Sequence, residues 1–355
     1  MNNYLATFLL AMLVTALTTP IAIKIAPKIG AVDVPKDDRR MHTKPIPRFG
    51  GIAIYLGAMV GFIRLGVWDE QTVGLAVGST CILILGIFDD IKGLSPKVKL
   101  GGQIFCAAIL YFHTIQIRGM ANILPWGPWY IAFPKVIAFL VTVLWIVGIT
   151  NTINLIDGLD GLAAGITCIA CLSVAYTAYV TDREVTCMLS LGLAGATLGF
   201  LFWNFHPAKI FMGDAGSMLL GYLLASVSLL GDKPTKGTTL FATIIPILIL
   251  ALPIFDTAFA IIRRMANHKP IMQADKGHLH HRIMAMGFGQ RRTVLALYSI
   301  SAIMGVAGIL WTLHVRLACA VLAVTAATLI FIFLGVGIVH EPEEKKEDLD
   351  YQEED

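Results

Sequence analysis

Long apolar runs alternate with short polar stretches along almost the whole chain. Runs of about 17–25 apolar residues are the length that crosses the hydrocarbon core of a bilayer. Such runs recur at roughly 4–26, 50–67, 72–88, 99–117, 133–150, 160–180, 185–203, 217–231, 239–262, 293–312 and 315–339. The pattern predicts an all-α polytopic membrane protein of about eleven transmembrane helices. No positive charge precedes the first run, and it is too long for a signal peptide. It is expected to remain as a helix with its N-terminus outside.

The loops order the helices across the membrane. Lys24, Lys28, Lys36, Arg39, Arg40, Lys44 and Arg48 follow the first run, and Lys92, Lys97 and Lys99 follow the third. Arg263, Arg264, Lys269, Lys276, Arg282, Arg291 and Arg292 follow the ninth. The intervening loops carry few basic residues. Positive residues mark the cytoplasmic side, so odd-numbered loops and the C-terminus are expected inside.

Composition agrees with this picture. The chain is 56% hydrophobic and 14% charged over 355 residues, with a mean hydropathy of +0.74. A soluble domain carries roughly a quarter charged residues. The net charge of +3 averages basic inner loops against an acidic end. Residues 1–340 are expected to form one integral-membrane domain. Residues 341–355, with nine carboxylates, are expected to form a disordered cytoplasmic tail. The six cysteines fall in or beside apolar runs and read as packing residues. Gly192, Gly195 and Gly199 allow close helix packing, either within the chain or in a homodimer.

Chemistry concentrates at the mouths of the runs. Asp89 and Asp90 end the third run. A helix C-terminus carries partial negative charge, so two carboxylates there need a cation, and Lys92, Lys97 or Lys99 or a metal would supply it. The stretch Asn151-Thr-Ile-Asn-Leu-Ile-Asp-Gly-Leu-Asp-Gly161 gathers Asn151, Asn154, Asp157 and Asp160. Oxygen donors of this kind suit hard cations, and Asp157 and Asp160 would share a face if helical. Asp-Gly pairs also make ordinary turns. Phe205–Ser217 places Asp214 at the start of the eighth run. Free N–H groups there would attract phosphate. Phe211 would either stack on a base or pack in the interior.

Two basic stretches remain. His278, His280, His281 and Arg282 crowd together and read as a phosphate-binding cluster or as a basic patch facing anionic lipid. His42-Thr-Lys-Pro-Ile-Pro-Arg-Phe-Gly-Gly51 offers phosphate contacts or simple positive-inside charge. All five motifs are predicted on one side, which points to a single cytoplasmic-face site. Acids on broken helices at the bilayer midplane would instead suggest a secondary transporter. Here they lie at helix ends.

These motifs together resemble the polyprenyl-phosphate N-acetylhexosamine-1-phosphate transferases from about residue 20 to 335. The resemblance is carried by His42–Gly51, Phe88–Gly93, Asn151–Gly161, Phe205–Ser217 and the His-Leu-His-His-Arg run. Within that family the chain is most similar to bacterial enzymes that join UDP-GlcNAc and undecaprenyl phosphate. The sister phospho-MurNAc-pentapeptide translocases usually have three consecutive histidines where Leu279 interrupts the run here. The resemblance implies transfer of GlcNAc-1-phosphate to undecaprenyl phosphate, with Mg²⁺ or alternatively Mn²⁺. It opens the synthesis of a cell-envelope polysaccharide such as teichoic acid, O-antigen or common antigen. It also implies a multi-pass protein of the bacterial cytoplasmic membrane with no nucleic-acid partner. Other UDP-hexosamines remain alternative donors.

The resemblance assigns roles. Asp214 and Asn154 would hold metal or diphosphate. Asp89 and Asp90 would form the acidic pair beside the lipid phosphate, with Asp214 as the third catalytic acid. Lys99 would bind phosphate, and Phe211 would stack on uracil. Asp157 and Asp160 would lie near the nucleoside or diphosphate. His278, His280, His281 and Arg282 would contact the sugar phosphate, with Lys44 and Asn151 as further substrate contacts.

Overall fold

The computed structural model describes residues 2–34, 45–121, 128, 130–230, 246–266, 278–313, 317 and 321. Eleven α-helices have both ends among them. They are α1 (Asn2–Ile25), α2 (Gly50–Leu65), α3 (Glu70–Lys92), α4 (Pro96–Phe112), α5 (Lys135–Ile156) and α6 (Leu162–Val180). Then come α7 (Glu184–Asn204), α8 (Gly213–Leu229), α9 (Ala251–Ala266), α10 (Leu279–Ala285) and α11 (Gln290–Leu313). Two short antiparallel ribbons join them, β1 (Val32–Asp33) with β2 (Ile46–Pro47), and β3 (Gly119–Ala121) with β4 (Tyr130–Ala132).

Among the described residues six helices are long and apolar enough to span a bilayer: Asn2–Ile29, Glu70–Lys92, Lys135–Ile156, Leu162–Val180, Glu184–Asn204 and Gln290–Trp311. The chain is an integral membrane protein built of helices. The expected runs at 50–67, 99–117 and 217–231 appear as helices of 16, 17 and 17 residues. The expected last run at 315–339 and the acidic tail lie outside the described residues, apart from positions 317 and 321.

The first helix shows how the bilayer as solvent inverts the usual pattern. Leu5, Leu9, Leu13, Leu17 and Ile21 are exposed along one face of α1. Thr7, Ala11, Thr15, Thr19 and Ala22 are buried on the other. Lipid accepts the leucines, so the small residues are left to face protein, where backbones can approach closely. Gly195 and Gly199 of α7 lie against the backbones of Phe8 and Met12 of α1, and Gly192 lies against Gly61 of α2. The glycine stripe therefore serves packing within the chain.

Helix α8 is the buried axis. Every one of its residues except Asp214 is buried. A helix apolar all round is a helix surrounded by protein, here by α2, α3 and α5. Gly86 of α3 lies against the backbone of Ala215, and Gly51 of α2 against that of Gly216. A Cβ at either glycine would collide with backbone, so α2 and α3 grip the first turn of α8. That grip fixes where Asp214 stands.

Replacing Gly199 with leucine forces a side chain into the Met12 backbone. We expect a loss of about 1–3 kcal/mol or more, read as a lower unfolding temperature in detergent. An unchanged temperature would contradict the packing assignment.

Candidate active site

Four helix ends meet at Asp214. Helix α3 brings Asp89 and Asp90 in its last turn, α4 brings Lys99 in its first, α5 brings Asn154 in its last, and α8 brings Asp214 at its start. Lys99 Nζ lies 2.8 Å from Asp214 Oδ1 and 3.0 Å from Asp89 Oδ2. It also donates to Asn154 Oδ1 at 3.3 Å. Asn154 Nδ2 donates to Asp214 Oδ1 at 2.6 Å and to Ser217 Oγ at 2.8 Å.

A residue not singled out by the sequence completes the cluster. Arg48 follows β2, Nε lies 2.9 Å from Asp90 Oδ1, and Nη2 donates to Asp214 Oδ2. A parallel bridge between Arg48 and Phe211 fixes its backbone, with Phe211 N donating to Pro47 O at 2.8 Å. The motif His42–Gly51 contained this arginine, but nothing local distinguished it from the other inner-loop charges.

The two adjacent acids have separate partners. Asp89 pairs with Lys99 and accepts from Leu94 N at 2.8 Å. Asp90 accepts from Asp214 N at 2.8 Å and Ala215 N at 2.9 Å. It caps α8 from another helix, where a carboxylate satisfies unpaired N–H groups and complements the helix dipole. Its side chain is fully buried. This corrects two expectations. The first N–H groups of α8 are not free for phosphate, because Asp90 takes them. Asp90 also faces α8 and Arg48 rather than standing with Asp89 as an open acidic pair.

The Asn151–Gly161 motif divides in the same way. Helix α5 ends at Ile156, and residues 157–161 form turns, so Asp157 and Asp160 do not share a helical face. Both still line one polar cavity of about 760 Å³, together with Arg48, Asn154, Phe211, Asp214 and His281. Asp160 accepts from His206 Nδ1 at 2.7 Å and Ala208 N at 3.1 Å. The Asp157 carboxylate receives no hydrogen bond among the described residues. Burial, and then the charge of Asp214, push its pKa up to about 7. Asn151 exchanges amide hydrogen bonds with the buried Gln103 at 2.7 and 3.2 Å.

A second cavity of about 1060 Å³ opens beside the first. Its walls include Leu100, Val141, Leu144, Trp145, Ile254 and Ile261. Asp89, Lys99 and Asn151 also line it, and Asn154 lines both cavities. The polar chamber and the apolar one therefore meet at Asn154, beside Asp214 and Lys99.

The histidine motif is only partly at this site. His281 lines the polar cavity, whereas His278 and His280 are buried. Arg282 lies over the Phe259 ring at 5.2 Å and does not line the polar cavity. Lys44 lies outside the described residues.

No three His, Cys, Asp or Glu side chains among the described residues converge to enclose a metal. That excludes a cage built from such side chains there, but fits a hard cation that keeps several waters and binds through one or two carboxylates and substrate phosphates. Asp157 lines the same cavity as Asp214, and its carboxylate, which accepts no hydrogen bond among the described residues, would be open to such a cation.

Residues 72–232 match the family described as Glycosyl transferase family 4. The chain is 42% identical over 317 residues to a probable undecaprenyl-phosphate N-acetylglucosaminyl 1-phosphate transferase of Bacillus subtilis, covering 87% of this chain and 85% of the relative. It is 33% identical to a decaprenyl-phosphate N-acetylglucosaminephosphotransferase of Mycolicibacterium smegmatis, over 82% of this chain and 77% of the relative. A phospho-N-acetylmuramoyl-pentapeptide-transferase of Oceanobacillus iheyensis is 29% identical over 87% and 98% respectively.

Arg48→Ala would leave the buried Asp90 without its cation. Breaking a buried pair costs about 3–5 kcal/mol, and the partial exposure of Arg48 puts the expected loss at the lower end. Thermal unfolding in detergent reads it, and wild-type stability would refute the pairing. Asp157 gives a pH signature. Its folded pKa of about 7 lies above the ordinary 3.8, so the unfolded chain releases this proton first. Stability should fall as pH rises through that window. Asp157→Asn removes the effect, so the variant should gain on the wild type between pH 4 and pH 8. A constant difference across that range would contradict the assignment.

Proposed function

The chain belongs to glycosyl transferase family 4, and from that premise we propose that it transfers GlcNAc-1-phosphate from UDP-GlcNAc to undecaprenyl phosphate, giving undecaprenyl-diphospho-GlcNAc and UMP. The observation that carries this reading is the meeting of a polar and an apolar-walled chamber at Asn154, Lys99 and Asp214. A nucleotide diphosphate needs the first chamber and a polyprenyl chain the second. Their phosphates can meet only where the chambers join.

An oxygen of the lipid phosphate attacks the β-phosphorus of the donor. The bond from that phosphorus to the bridging oxygen breaks, and UMP leaves with the electron pair. A phosphate monoester has a second pKa near 6, so the nucleophile is largely deprotonated at neutral pH. The protein's task is then alignment and charge compensation. Lys99 stands between Asp89 and Asp214, where an incoming phosphate competes for its ammonium group. Arg48 is placed to do the same on the donor side. Asp89, facing the apolar chamber, positions the lipid phosphate. Phe211 stacks on the uracil in the polar chamber. Asp214 and Asn154, with Asp157 beside them, would hold Mg²⁺. When bound, the ion would neutralise charge developing on the UMP leaving group.

The remaining architecture belongs to the same reading. Eleven spans put the N-terminus outside and the site on the cytoplasmic face of a bacterial plasma membrane. Residues 1–340 form the transferase domain, with an acidic tail after it. The product would open a cell-envelope polysaccharide pathway.

Purified protein, undecaprenyl phosphate, Mg²⁺ and radiolabelled UDP-GlcNAc should yield butanol-extractable labelled lipid. Asp214→Asn should abolish the label. No label from folded wild type would discard GlcNAc as donor, and UDP-MurNAc-pentapeptide would then be compared. A fully active Asp214→Asn enzyme would refute the metal assignment.

A further inference from the structure

The histidine motif has a buried anchor outside every motif discussed so far. Asp256 lies on α9 with its side chain 6% exposed, and His278 with its side chain 7% exposed. His278 Nδ1 stands 3.0 Å from Asp256 Oδ2. The other carboxylate oxygen, Oδ1, accepts from Leu279 N at 2.7 Å. One carboxylate thus fixes the His278 ring and the first backbone N–H of α10.

A column of rings leads from this anchor to the polar chamber. The His278 and His280 rings lie parallel, with centroids 5.8 Å apart and planes at 5°. The His280 and His281 rings follow at 4.2 Å and 41°. His280 is 2% exposed, and neither of its ring nitrogens has a hydrogen-bond partner among the described residues. Burial, then the neighbouring His281, lowers its pKa to about 3, so the ring is neutral. A partnerless buried imidazole is unfavourable, so packing must hold it in place. Its Nε2 faces Gly158, where an added Cβ would stand 2.7 Å away. Gly158 follows Asp157 in the turn lining the polar chamber, and His281 lines the same chamber.

We propose that Asp256 is a positioning residue for the sugar-nucleotide chamber. Through His278 it seats the ring column. The column in turn sets where His281 and the Asp157–Gly158 turn stand against the donor diphosphate. The inference rests on the donor reading of that chamber. His278 and His280 act behind the wall and do not touch substrate.

The test uses full-length protein and three variants. Asp256→Ala removes both contacts. Asp256→Asn keeps both with one polarity reversed, since an amide can accept from Leu279 N and donate to a neutral His278 Nδ1. Gly158→Ala pushes the column at its middle ring, because the new Cβ meets His280. Asp256→Ala and Gly158→Ala should lower kcat/KM for the donor about 10- to 100-fold, the scale of a 1 Å misplacement. Kinetic constants for undecaprenyl phosphate should hold, and Asp256→Asn should restore most of the donor value. Thermal protection by UDP, read on the same proteins, should weaken and recover in parallel. That second readout survives if the wild type uses another UDP-sugar, so failure of the GlcNAc assignment is distinguishable. Equal losses toward both substrates, a donor constant unmoved in Asp256→Ala, or no rescue by asparagine would overturn the proposal. If Asp256→Ala does not fold, Gly158→Ala decides alone: donor-selective loss supports the column, and wild-type UDP protection overturns it.

Discussion

Carboxylates held in a low-dielectric setting must each be compensated, and the arrangement of this protein follows from meeting that demand for Asp89, Asp90 and Asp214. Isolated charges in such surroundings are far too costly to persist. Asp214 takes Arg48 and Lys99. Asp89 takes Lys99 and a backbone N–H. Asp90 takes Arg48 and the first N–H groups of α8. Each solution ties together elements far apart in sequence, so compensation and folding are one event.

The fold is shaped to permit that exchange. Asp90 can cap α8 only because α3 approaches its first turn at Gly86, and Arg48 can reach both acids only because Gly51 brings α2 against Gly216. The glycines here serve proximity. They let helix ends converge closely enough for side chains of ordinary length to satisfy each other. Helix α8, buried except at Asp214, then acts as a fixed post around which the other ends are arranged.

Much of this was legible in the chain, and the limits have a physical cause. The helical class, and Asp89, Asn154 and Asp214 as residues that a single site would bring together, could be argued from apolar runs and from polar groups placed at their mouths. What local reading could not supply was direction. Asp90 and Asp214 are 124 positions apart, so capping in trans has no local signature. For that reason the N–H groups of α8 looked open to phosphate. Arg48 was one basic residue among seven until β2 paired beside Phe211 and aimed it. The histidines looked alike as a polar cluster, yet burial separates His278 and His280 from His281. Asp256 was hidden inside an apolar run, because its partner His278 lies 22 residues on.

On the proposed function, the pairing within the cluster also bears on how phosphates would enter. Lys99 and Arg48 each bridge two carboxylates, so neither cation is held by a single strong bond. A phosphate dianion arriving beside Lys99 brings more charge than the carboxylate it displaces, and accepts the same hydrogen bonds. Exchange of partners is then close to balanced in number of bonds while concentrating positive charge on the reacting groups. On the proposed function, a carboxylate released in that exchange would become available to a hard cation bound with the diphosphate. The acids that would be a liability in an apolar setting therefore serve to hold the cations in readiness, and the compensation that folds the site is of the same kind as the chemistry it is suited to perform.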